Sequence, residues 1–219
     1  MSLEPTSIKI VSFDMDGTLV EKRYVDSVWL EGIPTLYARK EGISFEKARK
    51  YVEAEYQKVG DGMLEWYDIH YWLRKFELDI DWEQLLKRYT PLLSTYQEVP
   101  AVIENLGKRY KLIIISNAAY EFITIAIQTL KLMKKFSNIF STVSDFGKTK
   151  KDEEVYRSIC TVLNVERNEV IHVGDNWDFD YVAPSNAGIS AFFLDREGKT
   201  NGSHVVTNLM EFEEKLRGM

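Results

Sequence analysis

The chain of 219 residues has a formal net charge of −6 and an apolar fraction of 45%, which suit a globular protein with a sizeable core and exclude a disordered one. The acidic balance disfavours nucleic acid as a main partner, because polyphosphates bind to broad basic surfaces. The single cysteine, Cys160, excludes an internal disulfide framework, and the lack of a bilayer-length apolar run or of a signal-like start at residues 1–5 predicts a soluble, cytoplasmic protein without a membrane partner.

Apolar runs of strand length recur along the chain and alternate with segments of helical periodicity. The predicted strands lie at residues 8–13, 112–115, 139–143, 170–173 and 191–194, with a weaker one at 204–206. The predicted helices between them lie at residues 101–110, 120–134, 153–164 and 178–187. This alternation predicts an α/β fold with a doubly wound parallel sheet.

One connection is far longer than the others. Roughly ninety residues separate the first two predicted strands, whereas a βαβ crossover needs only about a dozen. They read as helices only, near residues 27–41, 44–59, 63–76 and 82–93, with 17–24 as a hinge. We therefore predict a catalytic core at residues 1–20 and 98–219, interrupted by an all-helical cap at residues 21–97.

Two acidic residues, Asp14 and Asp16, directly follow the first predicted strand and precede Gly17. Residues i and i+2 of a strand project to the same side, so these carboxylates would repel each other unless a cation or a shared proton intervened. A divalent metal ion is the natural solution, and the pair indicates an active site. The segment Asp14-Met15-Asp16-Gly17-Thr18 resembles the first motif, Asp-x-Asp-Gly-Thr/Val, of the haloacid dehalogenase-like hydrolase superfamily.

Three later segments are similar to the other motifs of that superfamily, and they follow in the same order. Ser116, which alone is typical of a helix cap, matches the phosphate-binding hydroxyl residue, with the backbone amide of Asn117 as a second donor. In the run Lys148-Thr149-Lys150-Lys151-Asp152 the usual proline is missing; alignment on Asp152 favours Lys150 as the functional lysine, with Lys148 as the second choice.

The last motif, around Gly174-Asp175, resembles the Gly-Asp-x-x-x-x-Asp pattern of the superfamily. The resemblance implies that Asp175 is a metal ligand and that Asp180 is a second or water-mediated partner that also positions the lysine, with Asp178 as an alternative. His172 precedes the glycine inside the predicted strand, and we interpret it as a structural residue and not as a base. Because the ends of parallel strands meet at one crevice, these side chains are expected to converge.

The resemblance implies a Rossmann-like core and a phosphatase that hydrolyses a small phosphorylated metabolite with Mg²⁺. Asp14 would be the nucleophile that forms an aspartyl-phosphate, and Asp16 would be the general acid and base. Mg²⁺ would bind to Asp14, the backbone carbonyl of Asp16, Asp175 and, indirectly, Asp180. Ser116, Asn117 and Lys150 would bind the phosphate.

Other activities share parts of this pattern. A 2-haloacid dehalogenase or a phosphonatase would lack the second aspartate, whereas a phosphosugar mutase keeps every motif. A receiver-type signalling domain is shorter and has no helical insert, and an intact catalytic set argues against a purely binding protein. The sequence gives no indication of the oligomeric state.

The predicted cap helix at residues 63–76 is rich in aromatic residues. Trp66, Ile69, Leu73 and Phe76 follow helical spacing and are expected mostly to pack within the cap. One or two of the remaining residues, Tyr67, His70, Tyr71 and Trp72, are candidates for the substrate pocket. The sequence does not select among phosphoglycolate, a sugar phosphate and a nucleotide as substrate.

Overall fold

A computed structural model describes residues 8–218 of the chain, so the expectation about residues 1–5 lies outside the described residues. The described residues form a six-stranded sheet with the spatial order β3-β2-β1-β4-β5-β6, and every neighbouring pair is parallel. The strands are β1 (Ile10–Phe13), β2 (Lys111–Ser116), β3 (Asn138–Ser141), β4 (Val170–Gly174), β5 (Ser190–Leu194) and β6 (Val205–Val206). The predicted doubly wound α/β fold is confirmed.

Helices follow most strands and cover both faces of the sheet. The helices of the described chain are α1 (Arg23–Ser27), α2 (Ile33–Glu41), α3 (Phe45–Val59), α4 (Ile69–Lys75), α5 (Trp82–Tyr89), α6 (Val99–Leu106), α7 (Tyr120–Thr129), α8 (Thr142–Phe146), α9 (Glu153–Leu163), α10 (Ala183–Ala187) and α11 (Leu209–Arg217). Two π-helical turns, Val28–Gly32 and Trp177–Val182, precede α2 and α10. None of the helices in residues 8–218 is both long and apolar enough to cross a membrane.

The alternation of side chains along β1 divides the core into two apolar layers. Val11 and Phe13 contribute to the larger layer, whereas Ile10 contributes to the layer that contains Val155 and Ile159 of α9. All four residues of β1 are buried, as expected for a central strand covered on both faces. Because β1 lies between β2 and β4, its carboxyl end lies at the topological switch point, where open α/β sheets place their ligands.

The long connection between β1 and β2 is helical throughout its regular structure, as predicted. Its helices enclose an apolar cluster around Trp72 and Ile69, and this cluster includes Phe122 and Ile125 of α7. Ser44 caps α3, since its side chain accepts from the Lys47 amide. The limits of the cap at residues 21 and 97 stay a prediction.

Several predicted bounds were wrong. The strand predicted at 139–143 ends at Ser141, whose side chain caps α8 by accepting from the amide of Ser144. The helix predicted at 120–134 ends at Thr129, and Lys131 takes a positive φ of 57°. The C-terminal helix α11 was not predicted, although Asn208 caps it and Leu209, Phe212 and Leu216 follow helical spacing.

Candidate active site

The first acidic pair lies in a turn that directly continues β1. Asp14 is 6% exposed, and its amide donates to the carbonyl of Val173 in β4. Beyond it the chain reverses: Gly17 has a φ of +91°, and its amide donates to the carbonyl of Val20. A Cβ on Gly17 would lie 2.2 Å from Oδ2 of Asp175, so only glycine allows this turn to approach the second acidic motif.

The lysine that contacts the acids is Lys151, and the prediction that Lys150 occupies this place was wrong. Nζ of Lys151 lies 2.5 Å from Asp14 and 2.5 Å from Asp180, and it donates to the carbonyl of Ile115 at 3.3 Å. These three acceptors use all the protons of the buried ammonium group.

Lys150 points in the opposite direction. Its side chain is 48% exposed, and its Nζ lies 3.9 Å from Asp61 in the predicted cap. Two consecutive lysines of the segment before α9 thus have different surroundings, one exposed and one buried. The alternative, Lys148, lies outside the acidic cluster and pairs with Asp152 and Glu154.

The acids of the last motif have different surroundings. Asp175 is partly exposed and pairs through Oδ2 with Nζ of Lys22 at 2.6 Å. Asp180 is fully buried in the π-helical turn, where Oδ1 meets Lys151 and His172 and Oδ2 accepts from the amide of Asn176. Asp178 is exposed, so the geometry favours Asp180 as the second acid.

Gly174 at the end of β4 makes this packing possible. A Cβ at this position would lie 2.4 Å from Cγ of Asp180 and 2.7 Å from Cβ of Asp14. Both distances are far below contact, so any other residue would push the two carboxylates apart. The glycine of the motif thus permits Asp14, Lys151 and Asp180 to form one buried group.

His172 connects this group to the centre of the sheet. Its Nδ1 lies 2.8 Å from Oγ of Ser12, and its Nε2 lies 3.1 Å from Oδ1 of Asp180. Since the Asp180 carboxylate only accepts, Nε2 carries the proton and the Ser12 hydroxyl donates to Nδ1. Burial lowers the pKa of His172, against the opposing effect of Asp180. His172 is therefore a neutral imidazole, and it orients Asp180 through this hydrogen bond.

The electrostatics of the acids differ because of burial and of their neighbours. Burial raises the pKa of Asp14 to about 8, with Asp180 and Asp175 adding to the rise and Lys151 opposing it. Burial and Asp175 raise the pKa of Asp16 to about 6. For Asp180, burial is outweighed by Lys151 and His172, so its pKa falls to about 2. Asp14 and Asp16 therefore hold their protons more tightly than usual, and all the acids of the cluster would ionise together only with positive charge beyond that of Lys151.

Ser116 and Asn117 lie at the end of β2, beside β1. Ser116 is 2% exposed and its Oγ accepts from the amide of Ala118, while α7 is capped by Ala119 without a side-chain bond. Ser116 is thus not the cap of α7, and its hydroxyl proton can point to a ligand. The buried Oδ1 of Asn117 has no hydrogen-bond partner among the described residues.

The donor set fits a hard divalent cation. Carboxylate oxygens of Asp14, Asp175 and Asp180 all lie within 4.8 Å of one another. Because Lys151, His172 and Asn176 already occupy Asp180, a cation would be held by Asp14 and Asp175, and Asp180 would orient Lys151. The side chain of Asp16 is not part of this group.

A cavity of about 680 Å³ opens beside the acids, between the core and the predicted cap. Asp16 and Asn117 line it from the core, and Trp66 and Tyr67 line it from the cap. Of the other aromatic candidates, Trp72 is completely buried and His70 contacts Glu121 of α7 at 3.0 Å. As predicted, Ile69, Leu73 and Phe76 pack inside the cap, whereas Trp66, which was expected to do the same, is only partly buried against them and lines the cavity.

Two residues near the site were missed in the sequence. Lys22 pairs with Asp175, as described above. Arg196, which follows β5, donates to the carbonyls of Gly17 and Thr18 and pairs with Glu98 at 2.8 Å. Neither residue belongs to a motif, and only the fold brings them to the turn after β1.

Comparison with known proteins agrees with this geometry. Residues 8–188 match the model of the haloacid dehalogenase-like hydrolases. A curated relative, the GMP/IMP nucleotidase YrfG of Escherichia coli (strain K12), is 23% identical over 172 residues, which cover 77% of this chain and 75% of the relative.

Solved structures with the same fold are numerous. A HAD phosphatase from Thermococcus onnurineus has a TM-score of 0.83 and 26% identity, covering 96% of this chain and 99% of that one. A 2-haloacid dehalogenase from Pseudomonas syringae pv. Tomato DC3000 has a TM-score of 0.67 and 20% identity over the same shares. The matched family model spans most of the chain, and the chain belongs to the haloacid dehalogenase-like hydrolases.

Proposed function

We propose that this hydrolase is a Mg²⁺-dependent phosphatase that cleaves a small phosphomonoester through an aspartyl-phosphate on Asp14. The observation that carries the proposal is the contact of the buried Asp14 with Lys151, beside Asp175 and Asp180. Phosphoryl transfer needs positioned positive charge and an in-line nucleophile more than it needs covalent chemistry from the protein. This cluster supplies both at one point.

In the first half-reaction, a carboxylate oxygen of Asp14 attacks phosphorus, and the bond from phosphorus to the ester oxygen breaks. The departing alkoxide takes its proton from Asp16, whose raised pKa of about 6 keeps part of the carboxyl protonated near neutral pH. Ser116 donates to the phosphate oxygens, and the positive charge of Lys151 stabilises the negative charge that develops on them. The alcohol then leaves toward the cavity that Asp16 lines.

In the second half-reaction, Asp16 is ionised and accepts a proton from a water molecule. The water oxygen attacks phosphorus, the bond from phosphorus to Asp14 breaks, and inorganic phosphate is released. Asp16 is thereby protonated again and Asp14 returns as a carboxylate, so protons and charge balance over the cycle.

The acids that would hold Mg²⁺ are Asp14 and Asp175, together with the backbone carbonyl of Asp16. The chemistry that a bound Mg²⁺ would supply is neutralisation of the phosphate and a lower pKa for Asp14. Without added positive charge, burial keeps the pKa of Asp14 near 8, which is poorly suited to a nucleophile that must be ionised. The excess of acids over lysine therefore supports a metal-dependent enzyme.

Two relatives support this reaction class. YrfG is described as a GMP/IMP nucleotidase, and the Thermococcus onnurineus protein is described as a phosphatase. Dehalogenases are also among the structural neighbours, but at 20% identity they inform on the fold alone. The presence of Asp16, Asp175 and Asp180 favours the phosphatase.

The proposal is tested by phosphate release from acetyl phosphate with Mg²⁺, with EDTA, and with EDTA followed by excess Mg²⁺. We expect turnover that EDTA stops and Mg²⁺ restores. Halide release from a 2-haloacid, or turnover that EDTA does not affect, would contradict the proposal. In a second assay with a sugar phosphate as substrate, an isomeric sugar phosphate formed without free phosphate would identify a mutase instead.

A further inference from the structure

The cavity beside Asp16 differs in character from the acidic cluster. Asp14, Ser116 and Lys151, which would hold the phosphate, do not line it, whereas Asp16 does. In the proposed reaction Asp16 protonates the leaving group. The cavity is therefore the place for the part of the substrate beyond the phosphate, and its about 680 Å³ lie within the usual range of small-molecule sites.

Five aromatic residues line the cavity: Trp29, Tyr56, Trp66, Tyr67 and Phe122. Trp29 of the π-helical turn stacks on Phe122 of α7, with ring centroids 5.2 Å apart and an interplanar angle of 25°. Tyr56 stands perpendicular to Trp29 and contacts Trp66 edge to face. These rings hold one another in place, so the surface is organised before a ligand binds.

The charges of the lining indicate what the cavity excludes. Asp16, Asp26 and Glu53 line it, against the single lysine Lys50. A leaving group with a carboxylate or a second phosphate would meet net negative charge, which disfavours phosphoglycolate and sugar bisphosphates. A neutral leaving group meets no such repulsion.

Polar groups at two places can read the edge of a ring or a sugar. On α3, Lys50, Glu53 and Gln57 follow helical spacing and line the same side of the cavity. On the core side, Asn117 lines the cavity, and its buried Oδ1 has no hydrogen-bond partner among the described residues.

Resting on the proposed phosphatase function, we infer that the substrate is the phosphate ester of a neutral alcohol that carries a flat aromatic ring, as a nucleoside does. The ring stacks on the aromatic wall, and Asp16 meets the ester oxygen. Trp66 and Tyr67 are specificity residues of this site.

The test compares kcat/KM for nucleoside 5′-monophosphates, phenyl phosphate, ribose 5-phosphate and acetyl phosphate. Ribose 5-phosphate has the sugar of a nucleotide without its base, so the comparison with it measures the contribution of the aromatic base to kcat/KM. We expect a preference of about tenfold to a hundredfold for nucleotides over ribose 5-phosphate, the usual effect of stacking one base on aromatic side chains. The comparison of kcat/KM for nucleotides and for phenyl phosphate shows whether the leaving group is a nucleoside or a simple aryl alcohol.

Matched variants locate the effect. Trp66→Ala, with Tyr67→Ala as a second variant should the first not fold, is expected to lose most of this preference. Tyr51→Ala is the control, because Tyr51 lies on α3 but stacks on Tyr37 outside the cavity. It is expected to keep the preference.

Equal kcat/KM for nucleotides and ribose 5-phosphate, or a preference unchanged in both cavity variants, would overturn the inference. Failure of the phosphatase proposal is a separate result, seen as no turnover of acetyl phosphate. Titration with adenosine or guanosine, followed by tryptophan fluorescence, tests the cavity without turnover. Quenching that Trp66→Ala weakens supports the inference, and the absence of binding contradicts it.

Discussion

Lys151 is the residue on which the charge balance of the site depends most. Burial alone would lower the pKa of its ammonium group, but Asp14 and Asp180 outweigh burial and raise it. The lysine is therefore charged at neutral pH, and its charge can act on both the proposed nucleophile and the phosphate. A point charge fixed in this way acts without reorganisation during the reaction.

We predict that Lys151→Met lowers kcat for acetyl phosphate by about two or more orders of magnitude, as loss of a preorganised charge typically does. Lys150→Met is the matched control, because Lys150 is the neighbouring residue with a 48% exposed side chain. It should change kcat by less than about threefold. Steady-state kinetics of both variants measure the two effects on kcat. A larger loss of kcat in Lys150→Met than in Lys151→Met would contradict the assignment of Lys151 as the lysine of the site.

The sequence predicts a lysine here but not which one. Three lysines within residues 148–151 have the same chemistry, and the proline that usually sets the alignment is replaced by another lysine. Only the backbone between α8 and α9 determines which side chain turns inward. In contrast, Asp14, Asp16 and Asp175 could be predicted because each follows a buried strand directly.

His172 makes the stability of the fold depend on pH. Its pKa in the folded state is lowered by burial, so below about pH 6.5 the unfolded chain takes up a proton that the folded protein does not. This component of stability is complete above the unfolded pKa and is lost as the pH falls toward the folded pKa. The loss has an upper limit of about 1.4 kcal/mol per pH unit for one proton.

We predict that the free energy of unfolding of the wild type falls relative to that of His172→Gln as the pH is lowered from about 7.5 to about 5.5. Glutamine can still donate to Asp180 but does not titrate. Urea unfolding of both proteins, each in EDTA, measures the difference. A difference that stays constant or grows in favour of the wild type at low pH would mean that the imidazole is charged in the folded protein.

At the scale of elements, the turn after β1 connects Asp14 and Asp16 to the predicted cap. Val20 forms one bridge with Asp16 and another with Thr95, so the outgoing and returning segments of the chain lie side by side. Arg196 fixes this turn through the carbonyls of Gly17 and Thr18 and through Glu98, and its guanidinium lies 3.4 Å from the ring centre of Tyr96. One side chain thus holds both segments.

We predict that Arg196→Met lowers the free energy of unfolding by about 1.5–3 kcal/mol, because partly buried acceptors of charge-assisted hydrogen bonds lose their donor. It should also lower kcat/KM about tenfold or more, since small displacements of catalytic groups are costly. Lys199→Met, with a side chain that is 75% exposed, is the control. Urea unfolding and steady-state kinetics measure both effects. If the two variants had the same free energy of unfolding and the same kcat/KM, Arg196 would not stabilise the turn after β1.

Most strands and helices could be predicted because the spacing of apolar residues indicates them directly. The residues at which they begin and end could not be predicted in this way. At residues 142–143 the apolar, β-branched pattern favours a strand, whereas the Ser141 side chain begins a helix. The two π-helical turns carry Trp29 and Asp180, and a single extra residue per turn leaves no clear trace in the apolar pattern. Arg196 has no local signal, because its partners lie far away in the sequence.

At the scale of the whole molecule, the site exists only because three neighbouring strands end at one edge of the sheet. The order β2-β1-β4 brings the turn after Phe13, the end of β2 and the end of β4 together, and the segment between α8 and α9 supplies Lys151. The predicted cap covers this edge and adds the aromatic wall. The core thus supplies the proposed chemistry and the cap the proposed choice of leaving group.

Every step of the proposed reaction depends on Asp14 as the nucleophile of a phosphatase. The most direct test is the rate of phosphate release from acetyl phosphate with Mg²⁺ by Asp14→Asn, compared with the wild type, after circular dichroism has shown that the variant is folded. Asparagine keeps the shape of the side chain but removes the attacking oxygen and its charge. We predict a rate reduced by at least about three orders of magnitude, because removal of a nucleophile abolishes the covalent route. Retention of more than about a tenth of the wild-type rate would contradict the account, since loss of a nucleophile typically costs far more.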